Sequence, residues 1–225
     1  MAEPSINFGT SSKFGTLSGL VAQDANPTIS KQLARSLDED GDEAAAKTYD
    51  EKTEVTQNFK SSSASAPTLP AKIGAKAGDY ILTGINISTN WNDFAQVSLT
   101  GHNHTENAHA DTLRQAAHGI TLSAGFGANE FLGATAGSAV LQSSTCNIVC
   151  QHVDANDADG DHSHGQNYDA VITVTETWQG VPTTNAGSGW TVTNVATNET
   201  NTNFVTTVVT AQKSVALAAP VSTST

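Results

Sequence analysis

The stretch that decides the fold is Ala170-Val-Ile-Thr-Val-Thr-Glu-Thr-Trp178. Val171, Thr173, Thr175 and Thr177 fall on one face of an extended chain, while Ala170, Ile172, Val174 and Trp178 fall on the other, interrupted by Glu176. β-Branched residues at period two specify a half-buried strand. The same reading extends outward to 80–88, 94–100, 119–126, 139–153, 190–196 and 203–210, with Gly, Pro, Asn or Ser in the stretches between them. Short strands at such spacing, separated by turn signals, predict a mainly β chain, a β-sandwich or barrel. One short flanking helix is expected at 108–118, where helix formers run to Ala117 and Gly119 supplies a C-terminal cap.

The remaining organisation follows from composition. Residues 1–27 read as an extended N-terminal arm: Gly9, Gly15, Gly19 and Pro27 interrupt them, and Phe8, Phe14, Leu17 and Leu20 are too isolated to form a core, though suited to docking. Residues 28–215 form a single β-rich domain. It opens with an acidic block, 28–60, built around Asp38-Glu39-Asp40-Gly41-Asp42-Glu43. Asp-Gly there marks a hairpin turn, although Glu43–Lys47 also suits one helical turn. A Ser-, Ala-, Pro- and Gly-rich linker loop follows at 61–78, and 216–225 is a small, polar tail expected to be flexible.

Charge and composition exclude several functions. Charged residues are only 14% of the 225, yet acids outnumber bases 22 to 10, for a net charge of −12. No Lys or Arg occurs between Arg114 and Lys213, so no basic stripe is available to neutralise phosphates. No apolar run approaches the ~20 residues of a membrane-spanning helix, and no membrane partner is expected. Met1–Phe8 carries neither a charged n-region nor an apolar h-region, so cytosolic synthesis is expected and the sequons at Asn86, Asn103 and Asn198 are of no consequence. Cys146 and Cys150, four residues apart on one strand, would stand roughly 13 Å apart, beyond the ~7 Å reach of a disulfide. Buried, reduced thiols are expected.

The histidines are the strongest chemical signal. His102-Asn-His104 lies near His109 and Asp111, and His152-Val-Asp154 lies near His162-Ser-His164. On a strand, residues i and i+2 share a face, so an H-x-H pair presents two imidazoles to one metal. Were an ion held, the candidate ligands are His102, His104, His109, His152, Asp154, His162 and His164. The H-x-H pairs are similar to those of cupins and metallo-β-lactamase-like hydrolases, but neither the cupin glutamate spacing nor the hydrolase Asp-His pair is present. Loop histidines without metal are the simpler expectation, and no cofactor is assigned. Alignments of Gly41 or Gly160 to a calcium loop fail at the first and last ligand positions. There is no G-x-S-x-G elbow or P-loop, so no catalytic residue is assigned and the chain is expected not to be an enzyme.

A β-rich, Thr- and Asn-rich chain with a coreless arm and strong acidity suits a self-assembling subunit, in which neighbours order arms and pair sheet edges. The block Leu37–Glu43, Tyr49–Val55, the loop Ala66-Pro-Thr-Leu-Pro70 and the run Gly78–Ser88 resemble tailed-bacteriophage virion structural proteins, most of all tail tube proteins, over residues 28–100. That resemblance implies stacked homo-oligomeric rings, hexameric in such tubes, long inter-subunit loops, contacts with other virion proteins, and assembly in the host bacterial cytoplasm into a virion. DNA would be a non-adhering cargo, repelled by an acidic lumen. The carboxylates expected to face it are Asp38, Asp40, Asp42, Glu43, Asp154, Asp157, Asp159 and Asp161. The competing expectations are a capsid decoration or other virion protein, and a metal-dependent cupin-like or hydrolase domain using the H-x-H clusters.

Overall fold

A computed structural model describes residues 11–104, 113–159, 162–200 and 204–219. The protein is all-β, in the sandwich- or barrel-like class, and every paired strand is antiparallel. The strands are β1 (Leu20–Leu37), β2 (Glu43–Ser61), β3 (Lys72–Ile73), β4 (Lys76–Ala77), β5 (Tyr80–Asn90), β6 (Gln96–His104), β7 (Ala116–Ala117), β8 (Val140–Asn156), β9 (His162–Gln179), β10 (Thr191–Asn198) and β11 (Thr206–Val215). They form one large sheet in the order β1-β2-β6-β5-β8-β9-β11-β10, with β4 beside the start of β5, and a small β3–β7 pair.

The core lies on one face of this sheet. Val55 and Phe59 of β2, Ile85 and Ile87 of β5, Val97 and Leu99 of β6, Cys146 and Ile148 of β8, Ile172 and Val174 of β9, and Val209 and Ala211 of β11 form one buried cluster. Period-two alternation drives it, each buried side chain contributing about 1.5–3 kcal/mol of transfer free energy. The covering layer consists of the long connections, which place Phe14, Ile73, Ala116, Leu122, Leu132 and Ala139 into the same cluster. Buried Gln57 binds the entering chain as a strand would, accepting from Lys13 N–H at 2.7 Å and donating to Ser11 carbonyl at 2.9 Å. The described part of the arm therefore docks on its own subunit, and β1 starts within it, at Leu20.

Glu176, the residue that interrupts the apolar face of β9, is fully buried. One carboxylate oxygen accepts from Phe131 N–H at 2.7 Å and Leu132 N–H at 3.1 Å, tying the 130–132 connection to the sheet. Burial raises its pKa, offset in part by those two donors. Cys146 and Cys150 are buried free thiols, pushed up to about 12 and about 11 by burial.

Two expectations are overturned. No helix occurs among the described residues; of the expected 108–118 segment, 113–118 is extended, with Ala116–Ala117 paired to Lys72–Ile73 and Gln115 bridged to Ala218. Alanine-rich propensity is a weak prior that such pairing overrides. The expected strand at 119–126 is a loop: Asn129 accepts from Ser123 N–H, Ser123 hydroxyl and Ala124 N–H, holding the chain in a turn, and only Phe126 bridges to Phe94. The 28–60 block is a hairpin throughout, and Glu43–Lys47 is strand. At its tip Asp38 Oδ1 accepts from Asp40 N–H and Asp42 N–H, and Gly41 takes a positive φ of 87° that the turn requires.

Candidate functional site

Two bulges prepare the end of the sheet where the histidines meet. The β8–β9 register shifts between Cys150 and Gln151, opposite Asp169, whose φ is 50°. Burial then passes from Ala170 and Ile172 to Asn167 and Gly165, as a bulge demands. A second shift, between Ser30 and Gln32 of β1, lies opposite the Asp50 region of β2, where φ is 53°. β5 pairs with β8 only from Gly84 onward, so the last residues of β8 pair with β9 alone. β6 ends at His104, beside Lys52 of β2.

Into this region project four buried or nearly buried imidazoles around one carboxylate. His102 and His104 come from β6, His152 and Asp154 from β8, and His162 from the first position of β9. Asp154 Oδ1 lies 2.6 Å from His152 Nε2 and 3.2 Å from His162 Nε2; its Oδ2 lies 3.2 Å from His104 Nε2. The His102 and His152 rings are 4.3 Å apart, and His104 and His162 stack at 3.9 Å with 16° between their planes. Lys52 stands at the rim, 3.7 Å from Asp154 Oδ2 and 3.1 Å from Glu54.

The polar surroundings fix tautomers. Asn167 donates both amide hydrogens, to Gly74 carbonyl at 2.9 Å and Arg114 carbonyl at 2.8 Å. Its carbonyl oxygen is then the acceptor for His152 Nδ1–H at 2.7 Å. A neutral His152 therefore turns the Nε2 lone pair toward Asp154. His104 Nδ1 faces Asp50 Oδ1 at 3.9 Å, too far for a hydrogen bond. Gly165 leaves room for the His152 ring: a Cβ there would stand 2.9 Å from its Cε1.

Burial pushes His102 down to about 3, helped by neighbouring His152, and burial lowers His162 as well. For Asp154, burial alone would raise the pKa, but His104 and His152 hold it well below the ordinary carboxylate value. The site thus sets the lowered imidazoles of His102 and His162 beside a carboxylate held in its ionised form, a combination that suits metal ligation. Nearby Cys150, its thiol raised by burial, is no nucleophile at neutral pH.

The structure brings together His102, His104, His152, Asp154 and His162. It leaves His164 outside, exposed and opposite Ala155. His109, Asp111 and Asp161 lie outside the described residues. The second imidazole pair is thus not the H-x-H of β9: His152 of β8 and His162 of β9 supply it, because β8 and β9 pair antiparallel with His162 opposite Asn156. Sequence reading missed Asn167, Asp50 and Gly165. The available signal was Gly165 and Asn167 breaking the β-branched character of β9.

The other acidic candidates cluster elsewhere. Asp38, Asp40, Asp42 and Glu43 are exposed at the tip of the β1–β2 hairpin, and Asp157 and Asp159 are exposed at the β8–β9 turn. Lys47 Nζ donates to Asp159 carbonyl at 2.9 Å, so the hairpin leans on that turn. Asp154 faces the histidines. Among the described residues no helix is long and apolar enough to cross a membrane. No family model matches the chain, and no curated protein matches it.

Proposed function

We propose that this chain is a structural subunit of a self-assembling particle, and that a tailed-bacteriophage tail tube protein is its most specific form. One observation carries the reading: residues 26–48, the outer half of a hairpin whose strands are 18 and 19 residues long, are exposed throughout, with Ile29, Leu33 and Leu37 open to solvent. A hairpin of that length with no buried side chain, resting on its own subunit through the Lys47–Asp159 contact, gains stability from a neighbour.

Two further features agree. β1 and β10 are the opposite edges of one sheet, and every residue of β10 is exposed, Val192 and Val195 included. Unpaired long edges invite pairing between chains. Edge-to-edge pairing of β1 with a neighbour's β10 is heterologous, and such contacts close into rings when the rotation permits. The carboxylates of the hairpin tip and of the β8–β9 turn, with the net charge of −12, would give an assembled ring an anionic surface that repels DNA phosphates. In this reading DNA is cargo rather than ligand, and the particle assembles in the bacterial host.

The test is negative-stain imaging with mass measurement on the full chain, beside a variant in which 33–48 is replaced by a two-residue turn joining the paired Gln32 and Tyr49. Rings or tubes from the full chain, and discrete folded monomers from the variant, support the reading. A monomer at all concentrations, or rings undiminished by the deletion, overturns it. Trimers that attach to preformed capsids would instead identify a decoration protein.

A further inference from the structure

The cluster at the end of the sheet has a feature that assembly does not explain. Among the described residues, three buried ring nitrogens, His102 Nε2, His104 Nδ1 and His162 Nδ1, have no hydrogen-bond partner, and neither has Asp50 Oδ1; His104 Nε2 has only its 3.2 Å ion-pair contact with Asp154 Oδ2. Leaving a buried polar atom unsatisfied costs about 1–3 kcal/mol each. Concentrating several of them in one place is a poor design for a metal-free core. The tightest contact points the same way: with Asn167 accepting at Nδ1, a neutral His152 would turn the Nε2 lone pair to a carboxylate oxygen 2.6 Å away. A proton can relieve one such contact, but a cation placed among the rings takes one lone pair from each ring it binds and one from Asp154, relieving several contacts at once.

We infer that His102, His104, His152, His162 and Asp154 form a binding site for a divalent transition-metal ion, zinc above all, with Asp154 as the central ligand. Two overlapping sets, His102/His152/Asp154 and His104/Asp154/His162, each bring their ligand atoms within 4.8 Å of one another, and Asp154 belongs to both. Ligands at ~2.0–2.1 Å from a tetrahedral ion stand ~3.3 Å apart. His104 and His162 are already 3.2 Å from one or other oxygen of Asp154. The His152 contact, shorter than this, opens when the ion enters.

The chemistry of the donors selects the metal. Imidazole with one carboxylate suits zinc and its neighbours in the transition series, whereas calcium and magnesium need sets dominated by oxygen. The outer contacts are those of metal-bound histidines, whose second nitrogen is held by an amide, carbonyl or carboxylate. Asn167 does this for His152, and Asp50 is placed to do it for His104. Lys52 stands on the rim beside Oδ2 and leaves Oδ1 to the rings of His152 and His162. The ion would pin β6 to the β8–β9 hairpin at the level where β8 has lost β5 as a partner. The site does not depend on the assembly reading.

The experiment uses the full chain, produced without a histidine tag, stripped with chelator, and titrated with Zn2+ and separately with Co2+. Expected are about one or more ions per chain by elemental analysis, a rise in Tm with Zn2+, and a visible Co2+ spectrum characteristic of a low-coordinate nitrogen and oxygen site. Asp154→Asn and His162→Gln should each weaken Zn2+ binding at least tenfold, and Gly165→Ala, by crowding His152, should weaken it less. His164→Ala, outside both sets, should bind as the parent does. Because Asp154→Asn preserves shape, its circular dichroism separates loss of a ligand from loss of the fold. Failure of the folded parent to take up either ion stoichiometrically overturns the site, as does undiminished affinity in folded Asp154→Asn.

Discussion

One strand, β2, passes through two different physical regimes. From Glu43 to Thr48 every residue is exposed, and the segment is held by the backbone ladder to β1, the surface Arg35–Glu43 ion pair and the Lys47 contact with the β8–β9 turn. From Val55 to Ser61 alternate residues are buried under the covering connections. The outer half, Glu43-Ala-Ala-Ala-Lys-Thr48, is the poorer in β-formers, and it also lacks the second layer that covers the inner half. The inner half is stabilised within one chain. The outer half has the length and exposed aliphatics of an element whose second layer comes from outside.

The contrast is broken most severely from the core side. Ile172→Ala, at a fully buried position between β8 and β11, is expected to cost about 2–5 kcal/mol in urea unfolding. A loss under 1 kcal/mol would mean that the covering layer is looser than described. The next effect belongs to Glu176. Its folded pKa lies above the unfolded value, so the native chain binds more protons above about pH 4.5, and stability falls as pH rises through the raised value. Glu176→Gln removes that titration. Its stability relative to the parent should therefore improve as the pH rises above about 4.5, by about 1.4 kcal/mol per unit of pKa difference; parallel pH profiles would contradict the assignment.

Smaller effects are expected in the hairpin. Asp38→Ala removes an acceptor of two backbone donors and should loosen the tip by about 0.5–1.5 kcal/mol. The loss should be visible as faster amide exchange at 43–48 with Tm unchanged. The triple substitution Ile29→Ser, Leu33→Ser, Leu37→Ser should shift monomer stability by less than about 0.5 kcal/mol while reducing assembly measured by sedimentation. If instead it unfolded the monomer, the outer hairpin would be part of the core after all.

The class of fold was legible because it rests on period-two patterning, and Ile172, Val174 and Trp178 lie in the core as the alternation of 170–178 requires. The segments that misled were those whose conformation is decided by distant partners. Ala116 and Ala117 have helical propensity but pair with Lys72 and Ile73, and the 119–126 run alternates well but is bent by Asn129. The histidines were visible as chemistry, but their grouping was not. It depends on the offset of the β8–β9 turn, which puts His162 beside Asp154, and on the bulge at Asp169, which no local pattern announces. Asn167 and Asp50 act through contacts made 15 and more residues away, so their roles could be seen only in the folded chain.

The claim that the outer hairpin is completed by a neighbour is tested most directly by amide hydrogen exchange, comparing monomeric and assembled fractions of the same preparation. The account predicts that residues 26–48 exchange rapidly in the monomer and become protected to the level of β5 and β9 in the assembly. Equal exchange of this segment in both fractions would contradict it.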